Sequence, residues 1–178
     1  PCLGAACIAA AIGARKSLAG RIEAIILIAA PEETAAALAL RVAEQSPDLL
    51  GLSLYAWNRL FLQETAAELK RRMPGLPVIA GGPEAGGLGE KLLANGSLDV
   101  VAGGEGEESV IGLLETFLKD GRIGRRAFIA DPVDLAEAPS PWLSGDALPT
   151  PGTRVHWEMA RGCPFSCEFC VLTGLGTR

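Results

Sequence analysis

Short apolar runs alternate with helical patterns along most of the chain, and this alternation limits the possible folds more than any other feature of the sequence. Residues 24–30 (AIILIAA), 49–55, 77–80 and 98–102 are too short for helices and apolar nearly throughout, as expected of strands buried on both faces. Helical patterns lie around them. Residues 3–18 are rich in alanine and isoleucine. A second helix, running to about Gln45, is opened by Pro31, Glu32 and Glu33, since proline suits a first turn and carboxylates its positive end. Further helices are expected over 60–73, 88–94 and 108–119, the last stopped by Gly121. The pattern predicts βαβ units with right-handed crossovers: an α/β three-layer domain with an open parallel sheet, Rossmann-like and specifically flavodoxin-like, over residues 1–121. Because a helix comes before the first of these strands, a further strand is expected ahead of Pro1.

From Arg122 the alternation breaks. Pro132, Pro139, Pro141, Pro149 and Pro151 punctuate residues 122–152, which read as a Pro-rich linker over the surface. A strand-like run over 153–160 then leads into Arg161, Gly162 and a cluster of cysteines.

A chain of 178 residues buries roughly 70% of the surface its unfolded form exposes, so its core needs neither disulfide nor metal. The five cysteines are therefore available for chemistry. With 49% apolar and 21% charged residues, disorder over most of the chain is excluded. A formal charge of −5 argues against a nucleic-acid partner, whose phosphates want a basic face. No apolar stretch approaches the ~20 residues of a membrane span, and the start lacks the basic head of a signal peptide. Cys2 and Cys7 stand apart from Cys163, Cys167 and Cys170, a distribution suited to a reducing compartment. The expectation is a cytoplasmic protein with no nucleic-acid and no membrane partner.

In open α/β sheets ligands bind at the carboxyl ends of the strands. There the sequence sets Ser53, Tyr55, Ala56, Trp57 and Asn58 after one strand, Gly81, Gly82 and Pro83 after the next, and Gly103, Gly104 and Glu105 after the last. Paired glycines either bare the backbone to a ligand or make tight turns; two pairs on neighbouring loops favour a ligand crevice. Tyr55 and Trp57 either cap the core or face a ligand, and their place in the crevice favours the ligand. Asn58 either donates to a ligand or caps the next helix, with capping the better reading. Glu105 and Glu107 read as helix-start carboxylates, with a ligand-facing role as the alternative. Neither GxGxxG nor GxxxxGK[ST] occurs, and Glu84, Glu105 and Glu107 would repel a polyphosphate. A large, mostly neutral ligand fits better.

Cys163, Cys167 and Cys170 form CxxxCxxC, a spacing that lets thiolates on one turn converge on a metal centre. Zinc normally takes a fourth protein ligand, and the sole histidine, His156, sits in an expected strand where packing is the commoner role. Three cysteines suit a 4Fe-4S cluster with one iron left open.

The run Arg161-Gly162-Cys163-Pro164-Phe165-Ser166-Cys167-Glu168-Phe169-Cys170 resembles the cluster loop of radical S-adenosylmethionine (SAM) enzymes, with Phe169 at the aromatic position. That resemblance implies that Cys163, Cys167 and Cys170 hold a 4Fe-4S cluster whose open iron chelates SAM. It also implies that an electron from the cluster cleaves the sulfonium to a 5'-deoxyadenosyl radical, with Phe169 near the adenine. The preceding residues resemble the cobalamin-binding domain that one subgroup of these enzymes carries. Gly51-Leu52-Ser53-Leu54-Tyr55 matches its Ser-bearing strand end, Gly81-Gly82-Pro83 its glycine pair, and Gly103-Gly104-Glu105-Gly106-Glu107 the loop before its last helix. This likeness implies a corrinoid crevice built by the three loops named above. It further implies an electron donor such as flavodoxin or ferredoxin, a small-molecule or peptide substrate, and methyl transfer or a related radical C–H transformation.

The DxHxxG signature of corrinoid methyltransferases is absent, so cobalamin is expected without a protein histidine on cobalt. Residues 153–178 correspond to the first strand and cluster loop of a truncated radical SAM barrel. A barrel takes on the order of 200 residues, so this piece is expected not to turn over alone. Two alternatives stand beside this reading. One is a non-catalytic α/β interaction module with a structural zinc or electron-transfer iron-sulfur site. The other, a methylthiotransferase, is disfavoured because Cys2 and Cys7 are two cysteines where a second cluster needs three.

Overall fold

Val78, Ile79 and Ala80 are all buried, and they show how the layers form: in a strand successive side chains point to opposite faces, so both faces here must be covered. Val78, Ala80 and Val101 pack with Leu52, Ala66, Ala85, Leu92 and Leu98 on one side. Ile79 and Val100 pack with Leu113 on the other. Each such buried valine or leucine contributes roughly 1.5–3 kcal/mol.

The structure, a computed structural model, describes residues 2–147, 151–152, 154–165, 167–170 and 176–177. In chain order the elements are α1 (Leu3–Ala14), α2 (Ala35–Glu44), β1 (Leu50–Ser53), α3 (Arg59–Arg72), β2 (Val78–Gly81), α4 (Pro83–Ala94), β3 (Val100–Gly103), α5 (Gly106–Asp120), β4 (Arg126–Ile129) and α6 (Pro141–Ser144). A four-stranded sheet runs β1-β2-β3-β4, and every pairing is parallel, with Gly51 opposite Ile79, Ile79 opposite Val100 and Val101 opposite Ala127. Helices α3 and α4 cover one face, with α2 packed on α3 through Leu38, Ala39, Val42 and Leu69. Helices α1 and α5 lie on the other face, joined by Ala11, Ile12, Ile111 and Leu114. The result is the expected open parallel α/β architecture.

At the amino end of the sheet Asp99 knits two elements together. Its Oδ2 accepts from the Val78 N–H at 2.7 Å and from Lys70 Nζ at 2.5 Å, while Lys70 also donates to the Leu76 carbonyl at 2.7 Å.

Four sequence expectations change. The apolar run 24–30 is not a strand: it has no ladder partner, and Ile25, Leu27 and Ile28 are 53%, 39% and 58% exposed. Helix α2 starts at Ala35 rather than Pro31, because Thr34 is the N-cap and its Oγ1 accepts from the Ala37 N–H at 3.2 Å. Glu33 instead ties down the chain before the helix, accepting from the Ala30 N–H at 3.0 Å and pairing with Arg41 at 2.9 Å. Helix α4 begins at Pro83, where proline occupies the first turn, earlier than residue 88.

The fourth change lies beyond residue 121. Strand β4 falls inside the stretch read as linker and becomes the sheet edge beside β3, while α6 packs Pro141 inward and Ala147 donates back to its carbonyl at 3.0 Å. Residues 154–160 are not a strand, and near the cysteines only β5 (Gly162–Cys163) and β6 (Gly176–Thr177) pair, antiparallel. Thr153, Ser166 and residues 171–175, parts of the expected strand and cluster loop, lie outside the described residues.

Candidate functional site

Three loops meet at the carboxyl end of the sheet. After β1 the backbone stays locked to its neighbour: the Leu54 N–H donates to the Gly81 carbonyl at 2.8 Å, and the Leu54 carbonyl accepts from the Glu84 N–H at 3.3 Å. Asn58 then shapes the turn. Its Oδ1 accepts from the Tyr55 N–H at 2.8 Å and its Nδ2 donates to the Ser53 carbonyl at 3.1 Å. Asn58 does sit at the N-cap position of α3, but its side chain makes no capping bond, which corrects the capping role expected from sequence. It organises the loop instead. Within that loop Tyr55 and Trp57 stack, ring centroids 4.6 Å apart and planes at 17°, with Trp57 80% exposed and Ala56 exposed beside it. Arg59 at the start of α3 pairs with Glu84 at the start of α4 at 2.9 Å, binding the first loop to the second.

The glycines at the rim serve close packing. Gly82 has φ +94, and a Cβ there would lie 2.6 Å from the Leu54 carbonyl oxygen and 2.9 Å from its nitrogen. Gly103 faces Gly86 of α4 and the Ile129 side chain, each 2.7 Å from where a Cβ would stand, and Gly104, at φ +82, faces the Ala130 carbonyl at 2.7 Å. The space a side chain would need is filled by the loop after β1 at Gly82, by α4 and β4 at Gly103, and by the segment after β4 at Gly104. At Gly82, Gly103 and Gly104 close internal packing requires glycine whether or not a ligand approaches. Gly81, by contrast, has only an ordinary 3.5 Å approach, to the Ala102 carbonyl, and Pro83 is exposed at the start of α4.

The third loop carries charge. Glu105 Oε2 accepts from the Val133 N–H at 2.6 Å, holding the segment after β4 to the rim. Arg161, two residues before the first cysteine of the motif, reaches back to the same place. Its guanidinium lies 2.8 Å from Glu107, 3.6 Å from Glu105 and 2.8 Å from Glu158. Burial by itself would lower the Arg161 pKa, but hydrogen bonds to Glu107 and Glu158 and their charges outweigh it and raise the pKa above its ordinary value. Cys7 of α1 lies 4.0 Å from the same guanidinium. Its thiol is pushed up by burial first and by Glu107 next, against a lowering from Arg161. Arg161 was not singled out from the sequence as a partner of this loop. The available signal was an arginine abutting the cysteine run in a chain whose third loop reads Gly-Gly-Glu-Gly-Glu.

Of the cysteines, Cys163 and Cys170 are half-buried and Cys167 exposed, with the Cys170 N–H donating to the Cys167 carbonyl at 3.0 Å in a tight turn. Among the described residues no three of His, Cys, Asp and Glu converge on one point. His156 is exposed rather than packed in a strand, and Phe169 is 93% exposed. The donor set itself, three thiols with two on one turn, is the kind that binds iron-sulfur clusters. No helix of the described residues is long and apolar enough to cross a membrane.

The fold is an open α/β domain with its loops gathered at the carboxyl edge, and comparison with known proteins defines its family. Residues 1–114 match the B12 binding domain family, and the chain belongs to it. It is 34% identical over 175 residues to the cobalamin-dependent radical SAM methyltransferase TokK of Streptomyces tokunonensis, covering 83% of this chain and 24% of that protein. To the 2-(S-pantetheinyl)-carbapenam-3-carboxylate methyltransferase of Streptantibioticus cattleyicolor it is 33% identical over 172 residues, with the same coverage of 83% and 24%. To the hopanoid C-3 methylase of Methylococcus capsulatus it is 30% identical over 145 residues, covering 70% and 28%. The chain thus spans about a quarter of the length of these relatives.

Proposed function

We propose that this chain is the cobalamin-binding portion, together with the cluster loop, of a cytoplasmic cobalamin-dependent radical SAM enzyme that performs methyl transfer or a related radical C–H transformation. The observation that carries the reading is the union in one chain of a B12-binding family match over residues 1–114 with a CxxxCxxC at 163–170. Relatives named as methyltransferases and as a methylase support the methyl-transfer outcome.

In this reading the stacked Tyr55 and Trp57 offer an apolar wall to the corrin, and Asn58 fixes the loop that carries them. Ser53, Ala56, Gly81, Gly82, Pro83, Gly103, Gly104 and Glu105 complete the rim. Cys163, Cys167 and Cys170 would hold a 4Fe-4S cluster, with Phe169 against the adenine of SAM. Bound there, the cluster supplies the electron for reductive cleavage of SAM and cobalamin supplies the methyl group. The electron comes from a donor such as flavodoxin or ferredoxin, and the substrate is a small molecule or peptide.

Titration of the chain with hydroxocobalamin tests the first half: a shift of the corrin absorption and quenching of tryptophan fluorescence that a Trp57→Phe chain lacks are expected, and no change at millimolar ligand overturns it. Anaerobic reconstitution tests the second half. Iron and sulfide near four per chain, with SAM perturbing the paramagnetic signal of the reduced cluster, are expected. Stoichiometric zinc instead would favour a non-catalytic module with a structural metal.

A further inference from the structure

We infer that Arg161 is a clamp that seats the cysteine segment on the carboxyl-terminal rim of the sheet, and hence a positioning residue for whatever the cysteines carry. Its side chain is only 15% exposed and fans across three carboxylates: Glu107 at 2.8 Å, Glu158 at 2.8 Å and Glu105 at 3.6 Å. Glu107 is itself 8% exposed, so the contact is a sheltered ion pair rather than a screened surface one. Glu105 also accepts from the Val133 N–H at 2.6 Å, and Cys7 Sγ stands 4.0 Å from the guanidinium. Helix α1, the β3–α5 loop, the first turn of α5 and the approach to the cysteines therefore meet at one side chain, and Glu105 links the segment after β4 to it.

Two further features make this a positioning device rather than a local tie. Only Gly162, turned at φ +86, separates Arg161 from Cys163, and two residues of chain span at most ~7 Å, so fixing the guanidinium restricts where the first thiol can be. On the other side, Glu105 follows Gly103 and Gly104 directly and Glu107 lies in the first turn of α5, so the anchor is the end of the rim loop and the helix start it leads into. Diverging acceptors suit the planar fork of arginine, which a lysine ammonium cannot reproduce.

The assignment rests on the proposed function only for the identity of the cargo; the clamp is tested without it. Hydrogen exchange of the metal-free 178-residue chain is compared with Arg161→Ala, Arg161→Lys and, as control, Arg15→Ala, which removes an exposed pair with Glu108. Exchange at β5, the laddered pair beside Arg161, is expected to be about tenfold faster in Arg161→Ala, intermediate in Arg161→Lys and unchanged in Arg15→Ala, with β2 and β3 unaltered throughout. No change in β5, or acceleration of β2 and β3 in step with it, overturns the clamp. The chain is then reconstituted anaerobically with iron, sulfide and cob(II)alamin. Magnetic interaction between the reduced cluster and cobalt is expected in the parent and lost in Arg161→Ala, with iron content and corrin absorption retained in both. A parent that holds both groups without interaction, or a variant that keeps it, overturns the positioning role. A parent that takes up neither group overturns the cofactor reading and leaves the exchange result to decide the clamp.

Discussion

Gly82→Ala separates the packing role of the rim glycines from mere turn preference. The residue has φ +94 and ψ 178, a region open essentially to glycine alone, where an alanine loses roughly 1–3 kcal/mol to its own backbone. The added Cβ would also sit 2.6 Å from the Leu54 carbonyl oxygen, and that neighbour is backbone, which cannot rotate away as a side chain can. Relief requires the loop after β1 to lift, lengthening the bonds from Leu54 to Gly81 and from Glu84 to Leu54, each worth about 0.5–1.5 kcal/mol. The expected loss is ~3 kcal/mol, equivalent to a fall in melting temperature of ~6–12 °C for a chain of this size. Urea unfolding followed by far-ultraviolet ellipticity measures it. Gly112→Ala is the matched control: Gly112 is exposed on α5, a Cβ there meets nothing within 4 Å, and alanine should stabilise by about 0.5–1 kcal/mol. Equal effects in the two variants, or a Gly82→Ala loss below ~0.5 kcal/mol, would refute the claim that the Leu54 backbone demands glycine.

Trp57→Ala should leave the urea midpoint within the ~0.5 kcal/mol usual for surface changes, since the ring is 80% exposed, yet weaken hydroxocobalamin binding about tenfold or more, ~1.4 kcal/mol. Unaltered affinity would remove the aromatic wall from the site. Asp99→Ala should cost about 1–3 kcal/mol by leaving the buried Val78 N–H without its acceptor and taking from Lys70 one of its two partners; a wild-type urea midpoint would show the tie to be dispensable. In the metal-free chain at pH 8, alkylation followed by mass spectrometry should modify exposed Cys167 well before buried Cys7, and equal rates would contradict the raised Cys7 thiol. The folded chain retains a Cys7 proton that the unfolded chain releases near the ordinary thiol value of 9.0, so the thiol's linkage lowers stability as pH rises through that value and adds nothing at lower pH.

The sequence made the sheet legible where strands are buried on both faces and obscured it at the edges. Residues 77–80 and 98–102 read as β because Val78, Ile79, Ala80, Val100 and Val101 leave no polar face, and the structure sets β2 and β3 at the centre. Strand β4 was lost among prolines and arginines because an edge strand need not be apolar on both sides: Arg126 and Ile129 are exposed. The run 24–30 failed in the opposite sense. Its composition is that of a buried strand, but strand identity is conferred by a hydrogen-bonding neighbour, and Arg41 Nη2 instead takes the Ile28 carbonyl at 2.9 Å. At the site, the loops were legible from their glycines and aromatics, whereas the roles of Asn58 and Arg161 were not. Neither role is written in a helix-and-strand pattern: Asn58 binds loop backbone three and five residues before it, and Arg161 binds carboxylates more than fifty positions upstream.

These contacts bear on how a large ligand would be received. With Gly82 seated on Leu54, Gly103 on Gly86 and Gly104 on Ala130, the three rim loops form one supported layer, further tied by Arg59 to Glu84 and by Glu105 to Val133. A rim braced in this way is largely preformed, and little loop-ordering entropy opposes binding on that side. The cysteine segment is the reverse case. Trp157, Met159, Phe165 and Phe169 are 74%, 89%, 69% and 93% exposed, so its apolar side chains gain little from the fold as it stands. The guanidinium of Arg161 lies where the rigid layer and the exposed segment join. Affinity for a ligand confined to the rim should therefore survive loss of that arginine, whereas any process that needs the thiols held at a set distance from the rim should not.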